Sequence, residues 1–238
     1  MPSGNEILLA LETSGAHASA ALFRGAACVS EREEKPGRAL SERLIPMIHE
    51  VLREAGTEQS ALNTLAVSAG PGSFTGLRVG LATAKGFAAA FPKLRLYAIS
   101  TLDAIAFGCG AGGLVSVVID ARSGGLYCAL YRCAGEGEKR SLETILPPAA
   151  LAPEEWAKKL GVYGENISFA GDGARLCEEK FREMLGKNFA LLPENDGIPR
   201  ARWIGELARR KILLGEKPAD PEALSPLYVT TREYAKVS

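Results

Sequence analysis

The sequence predicts an α/β protein made of two related units, and three observations carry that expectation. The first 34 residues read as three consecutive short strands, the next stretch alternates amphipathic helices with apolar strands, and near residue 114 a new hairpin restarts the pattern. No close sequence identity links the two halves, so the duplication is expected in topology alone. The Gly-rich stretch 108–113 is the natural joint. It divides the chain into units of 1–107 and 108–238, with the option that the last helix packs back on the first unit.

Each element has its own justification. The segment ILLALETSGAHASAALFRGAACVSEREE is a β-meander, because Thr13-Ser14-Gly15 and Arg24-Gly25 place turn formers between apolar or alternating runs. Leu40, Leu44, Met47, Ile48, Val51, Leu52 and Ala55 then recur at helical spacing, with Arg43, Glu50, Arg53 and Glu54 opposite. Pro46 lies inside that pattern, where it lacks an N–H and crowds the carbonyl four residues back, so a kink or a helix start there is expected. A strand over 64–69, a helix over 74–91, a strand over 94–98 and a short helix from Ser100 complete the first unit. In the second, strands over 114–120 and 126–132 form a hairpin around Ser123-Gly124-Gly125. Helices over 153–160 and 174–185 flank a strand over 167–171, and 200–214 is a last amphipathic helix bearing Trp203, Leu207 and Leu214.

Composition excludes several classes. Lys plus Arg and Asp plus Glu both number 28, so there is no excess positive charge to release counterions from a phosphate backbone, and strong unaided nucleic-acid binding is not expected. The five cysteines are scattered and odd in number, which argues for a reducing compartment, and the two histidines, His17 and His49, have no partner at metal-ligand spacing. The N-terminal residues show no basic region before a signal-length apolar run, and no stretch is apolar enough to span a membrane. A cytoplasmic location is the expectation.

The most informative stretch is Gly70-Pro71-Gly72-Ser73-Phe74-Thr75-Gly76-Leu77-Arg78, between a buried strand and a helix. Gly70 and Gly72 free the backbone for a tight turn, Pro71 stiffens it, and Ser73 or Thr75 can cap the helix. Its free N–H groups would favour an anion, yet it is no P-loop, because no Gly-Lys-Ser/Thr follows. An ordinary strand-to-helix turn is the alternative.

The string AVSAGPGSFTGLRVGLATAKGFA resembles the signature of the TsaB (YeaZ) family, and ILLALETSGAHASAALF, SERLIPMI, VVIDARSGGLY and the closing PLYV resemble its other landmarks in the same order. The resemblance is densest from Glu6 to Asp103 and thins after Arg140. It implies an actin-like ATPase fold (sugar kinase and heat-shock ATPase type, RNase H-like) with two related lobes. It further implies a non-catalytic partner of TsaD, which with the ATPase TsaE transfers threonylcarbamoyl to the adenosine beside the anticodon of tRNA. In TsaD a His-x-x-x-His pair binds metal; the matching positions here are Thr101 and Ile105, neither a useful ligand for iron or zinc.

The same resemblance directs attention to a vestigial nucleotide site formed by Glu12, Thr13 and Ser14 in the first hairpin turn and by Asp120, Gly171, Asp172 and Gly173 in the second half. Thr13 and Ser14 also read as ordinary turn residues, and Asp172 as a natural helix cap. No cofactor is expected beyond weak ATP or ADP binding. The apolar arc of the first helix, roughly 160° wide, exceeds the stripe of about 100° that faces one core. The second helix carries Gly76, Gly80, Ala84 and Ala88 four apart, a ridge that admits another helix. Both features suit internal packing too. With the resemblance, Leu44, Ile45, Ile48, Leu52, Gly76, Gly80, Ala84 and Ala88 become the expected surface for TsaD or for a second copy. The cluster Arg200, Arg202, Arg209, Arg210 and Lys211 reads as a solvated helix face or as an auxiliary tRNA contact within the complex. A nucleotide-dependent phosphotransferase of the same fold and a metallopeptidase-like hydrolase are the rival functions.

Overall fold

The computed structural model describes residues 6–122, 124–227 and 229. Ser123 of the second hairpin turn and Tyr228 of the closing motif lie outside the described residues. The chain forms two compact units, one running to Ala104 and including Pro199–Leu227, the other spanning Ile105–Ile198. The division at 107/108 is thereby corrected, and the last helix belongs to the first unit.

In that unit β1 (Ile7–Glu12), β2 (Ala18–Arg24) and β3 (Ala27–Glu34) form the meander, followed by α1 (Leu40–Glu54), β4 (Thr64–Gly70), α2 (Phe74–Ala90) and β5 (Arg95–Ser100). The sheet order is β3-β2-β1-β4-β5, with β1–β2–β3 antiparallel and β1–β4–β5 parallel. Successive side chains of a strand point to opposite faces, and here both faces are covered. Leu9, Leu11, Leu65 and Val67 pack with Leu44, Ile48, Leu52, Leu81 and Ala84 of α1 and α2. Leu8, Ala10 and Ala66 pack on the other face with Ile204 and Ala208 of the last helix, α7 (Ala201–Leu213). This is why the central strands read as unbroken apolar runs, and why α7 joins a unit from which it is distant in sequence. Gly205 permits the approach: a Cβ there would stand 2.2 Å from the Phe23 ring.

Helix α1 runs through Pro46 and is preceded by a 3₁₀ turn at Gly37–Ala39, so proline does not start it. Leu44 before the proline and Met47 and Ile48 after it are all buried in one core, which holds the helix on both sides of Pro46.

Helix α3 (Thr101–Gly108) leads into the second unit, which contains β6 (Gly113–Asp120), β7 (Leu126–Ala134), β8 (Ser141–Leu151), α4 (Pro153–Leu160), β9 (Ile167–Ala170), α5 (Asp172–Leu176), α6 (Glu178–Leu185) and β10 (Phe189–Leu191). Its sheet order, β10-β9-β6-β7-β8, repeats that of the first unit, with β6, β7 and β8 antiparallel and β6, β9 and β10 parallel. The duplication is therefore topological. The core gathers Trp156, whose ring N–H donates to Ser116 Oγ at 2.9 Å, and the rings of Phe169, Phe181 and Phe189. The single helix expected over 174–185 is instead two, broken at Cys177, where φ is −110° and ψ 20°. Among the described residues no helix is long and apolar enough to cross a membrane.

Candidate functional site

The parallel strands β1 and β4 end beside each other, and the turns that follow them are locked together. Ser73 N–H donates to Ser14 O at 2.7 Å, and Ser73 Oγ accepts from Gly76 N at 3.3 Å, so Ser73 rather than Thr75 caps α2. Glycine is required where the backbones cross: a Cβ on Gly72 would lie 2.4 Å from Ser14 O, and one on Gly76 2.0 Å from Thr13 O. Gly70 has φ +106°, a conformation open mainly to glycine. The signature segment is the means by which a long helix is seated on the first hairpin turn.

Within that turn Glu12, Thr13 and Ser14 are all buried. Glu12 Oε1 accepts from both the N–H and the Oγ of Ser14, each at 2.5 Å; Ser14 Oγ in turn accepts from Thr101 Oγ1 at 2.9 Å, and Thr13 N–H donates to Ser68 Oγ at 3.3 Å. Glu12 Oε2 has no hydrogen-bond partner. Burial pushes the Glu12 carboxyl up to about 7, against the opposing pull of the Ser14 hydrogen bonds. An acid placed at the end of the first strand to organise metal-bound phosphates must be ionised and open to solvent; this one is turned inward and half protonated near neutrality.

Stability should carry that signature. Below the ordinary carboxylate range of 4.5 Glu12 is neutral whether the chain is folded or not. Between 4.5 and about 7 the unfolded chain ionises first, so stability falls as pH rises, and above 7 the penalty is constant. The full effect is on the order of 3 kcal/mol. Glu12→Gln is expected to abolish this slope while adding a pH-independent offset from an unpartnered amide. Denaturant unfolding of both proteins from pH 4.5 to 8 measures it; parallel curves would show that Glu12 ionises normally.

The second half of the expected nucleotide site forms its own cluster in the second unit. Asp172 Oδ1 accepts from Asp120 N–H at 3.0 Å, and Asp120 Oδ1 accepts from Arg122 N–H at 2.8 Å. Gly171 has φ +100°, and a Cβ there would meet Val118 O at 2.2 Å; one on Gly173 would meet Ile119 C at 2.8 Å. Asp172 is not the helix cap: Gly171 occupies that position and the Asp172 carboxylate is spent on β6. Thr101 and Ile105 are both buried, the former bonded to Ser14.

The expected partner surface needs a larger correction. Leu44, Ile48, Leu52, Ala84 and Ala88 are core residues of the first unit, and Gly76 and Gly80 are buried against Thr13, whose Oγ1 would lie 2.3 Å from a Cβ on Gly80. The wide arc of α1 and the small-residue ridge of α2 both serve the chain's own sheet and turn. Ile45 alone of that set is exposed. It borders a groove of about 350 Å³ along the outer faces of α1 and α2, lined also by His49, Thr83, Gly86, Phe87, Ala90 and Phe91. The sequence signal for it lies in Thr83, Gly86, Phe87 and Ala90, outward positions in the second half of α2 that carry small and aromatic residues and no charge.

The basic cluster of α7 is neutralised at close range. Arg200 pairs with Glu33 at 2.8 Å, Arg202 with Glu31 at 3.4 Å, Arg209 and Arg210 with Glu206 at 2.5 and 3.5 Å, and Lys211 with Glu216 at 2.6 Å. These pairs favour the solvated-face reading for Arg200, Arg202, Arg210 and Lys211, whereas Arg209 is buried and is corrected out of that face.

Two sheets of repeated topology, each with its acidic and glycine-bearing turns at the strand ends, define an actin-like α/β protein. A family model described as TsaD: tRNA N6-adenosine threonylcarbamoyltransferase matches residues 33–236. The tRNA threonylcarbamoyladenosine biosynthesis protein TsaB of Haemophilus influenzae is 36% identical over 217 residues, covering 88% of this chain and 87% of the relative. A Pseudomonas aeruginosa crystal structure, described as an uncharacterized protein with similarity to peptidase YEAZ, is 28% identical with a TM-score of 0.81 over 94% of this chain and 100% of that one. The ROK hexokinase of Thermus thermophilus, 12% identical, shares the fold at a TM-score of 0.51 over 87% of this chain and 100% of its own. The chain belongs to the TsaB (YeaZ) family, whose named role is in tRNA threonylcarbamoyladenosine biosynthesis.

Proposed function

We propose that the chain is a cytoplasmic, non-catalytic subunit that binds TsaD and, with TsaE, supports transfer of threonylcarbamoyl to the adenosine beside the anticodon. The observation that carries this reading is the groove beside Ile45, a mainly apolar channel between two helices whose opposite faces are anchored in the first unit's core. Supporting it, Thr101 and Ile105 stand where the resemblance puts the TsaD histidines, and Glu12 is internal and carries a raised pKa. We expect weak ATP or ADP binding at most, and no resident cofactor. The balanced charge and the paired arginines of α7 fit a subunit that meets tRNA only through the complex. When TsaD is absent, the same face is available for pairing with a second copy.

Reconstitution tests the assignment. TsaD, TsaE, the enzyme that supplies threonylcarbamoyl-adenylate, and unmodified tRNA should give product only when this chain is added. The chain without TsaD should give no modified tRNA, no peptidase activity and negligible ATP turnover. Turnover by the chain alone that Glu12→Ala and Asp120→Ala together abolish would instead establish the phosphotransferase reading.

A further inference from the structure

Glu12 ends β1 on the face that carries Leu8 and Ala10, and it is fully buried. Its Oε1 takes both hydrogen bonds of Ser14, while Oε2 has none. Ser14 passes the connection on in two directions: its Oγ accepts from Thr101 Oγ1 at the start of α3, and its carbonyl accepts from Ser73 N–H at the cap of α2. Thr13 N–H adds a tie to Ser68 Oγ of β4. One carboxyl therefore stands behind the contacts that hold the first hairpin turn on its neighbours. Among the described residues no basic side chain pairs with it. β2 sets Ser19 opposite Glu12, β4 brings Ser68, and α3 brings Thr101, with Asp103 two residues on. On the α7 side Arg200 is paired with Glu33, and Arg209 and Arg210 with Glu206; His17, beyond the turn, is also paired with Glu33.

A charge at Glu12 would have one oxygen satisfied by Ser14 and the other by nothing, and water reaches Oε2 only if the turn parts from the segments packed around it. We propose that this turn is a proton-controlled latch on α2: with the Glu12 carboxyl neutral it closes on Ser73 and Thr101, and with the carboxylate ionised it opens locally, freeing the first turn of α2 while the sheet stays folded. The open turn titrates in the ordinary range near 4.5 and the closed one at about 7, so the open population grows by up to about tenfold per pH unit between those values and levels off above them. Acid tightens the latch. The Ser14 hydrogen bonds favour the carboxylate and moderate the effect without reversing it, since burial is the larger influence.

Amide exchange of the purified full chain between pH 5 and 8, corrected for the intrinsic rate, tests the latch. Protection of the Ser14 and Ser73 N–H groups is expected to fall at least about tenfold from pH 5 to 7 and then hold steady. Low denaturant should leave it unchanged, because a local opening exposes little surface. Phe91 N–H, bonded to Phe87 O at the far end of α2, should keep one protection value throughout. Glu12→Gln should flatten the Ser14 and Ser73 profiles. Should that variant not fold, the Glu12 carboxyl carbon followed by NMR in the wild-type chain gives the same answer: it should titrate near 7, with the Ser73 N–H signal moving at the same midpoint. Titration near 4.5, protection independent of pH, a slope equally steep in Glu12→Gln, or one that tracks denaturant as whole-chain unfolding does would each overturn the proposal. None of these measurements involves TsaD, so they stand apart from the docking assignment.

Discussion

Ile45→Glu combined with Ala90→Glu is expected to abolish capture of TsaD and, in cells, threonylcarbamoylation of tRNA, while the melting temperature stays at the wild-type value. Both side chains are exposed on the groove between α1 and α2, so two carboxylates there remain hydrated in the free subunit and cost its fold little. In a complex they would be stripped of water against an apolar partner surface. An interface of ordinary size buries about 1,600 Å² in total and draws most of its free energy from a small centre. A buried unpaired charge at that centre costs several kcal/mol, enough to weaken binding about a thousandfold. Pull-down and thermal unfolding on the same samples separate the cases. A double variant that melts like wild type and binds TsaD normally would move the docking surface away from this groove.

The sequence reading of this face was right about the helices and wrong about their sides. Periodicity identifies which residues share a face, and Leu44, Ile48 and Leu52 do; it does not say whether that face meets the chain's own sheet or a partner. Ile45 sits at the edge of the buried arc, one position from Leu44, and only the packing of α1 on β2 reveals that it is left outside. The two-unit architecture was legible because the strand runs are short, apolar and punctuated by glycine. Strand β8 was not, since Pro147-Pro148 breaks a strand pattern, and an edge strand tolerates prolines that a central one does not. The Glu12-Thr13-Ser14 turn was legible as a place and not as a chemical state, because the inward orientation of Glu12 depends on Ser14, Ser68 and Thr101 from three segments of the chain.

The three glycines of α2 should separate in stability, and this is the sharpest statement about what the small-residue ridge is for. A helical Gly→Ala substitution in open space stabilises by roughly 0.5–1 kcal/mol, because alanine loses less conformational entropy on folding. Gly86→Ala should show that gain, since nothing lies within 4 Å of its Cβ position. Gly76→Ala and Gly80→Ala should do the reverse. Their Cβ atoms would stand 2.0 Å from Thr13 O and 2.3 Å from Thr13 Oγ1, and the first of these obstacles is backbone, tied to β4 by the hydrogen bond from Thr13 N–H to Ser68 Oγ. Relieving it means lifting α2 from the first hairpin turn, which would also disturb the Ser73–Ser14 hydrogen bond. A loss of about 3 kcal/mol is expected at Gly76 and somewhat less at Gly80, where the Thr13 side chain can rotate. Ala84→Leu, fully buried a turn further on, should fall with these two. Denaturant midpoints with unchanged slopes would measure the series. If Gly76→Ala instead folds with wild-type stability but fails to bind TsaD, the ridge faces a partner after all, and the seating of α2 on Thr13 is not what those glycines serve.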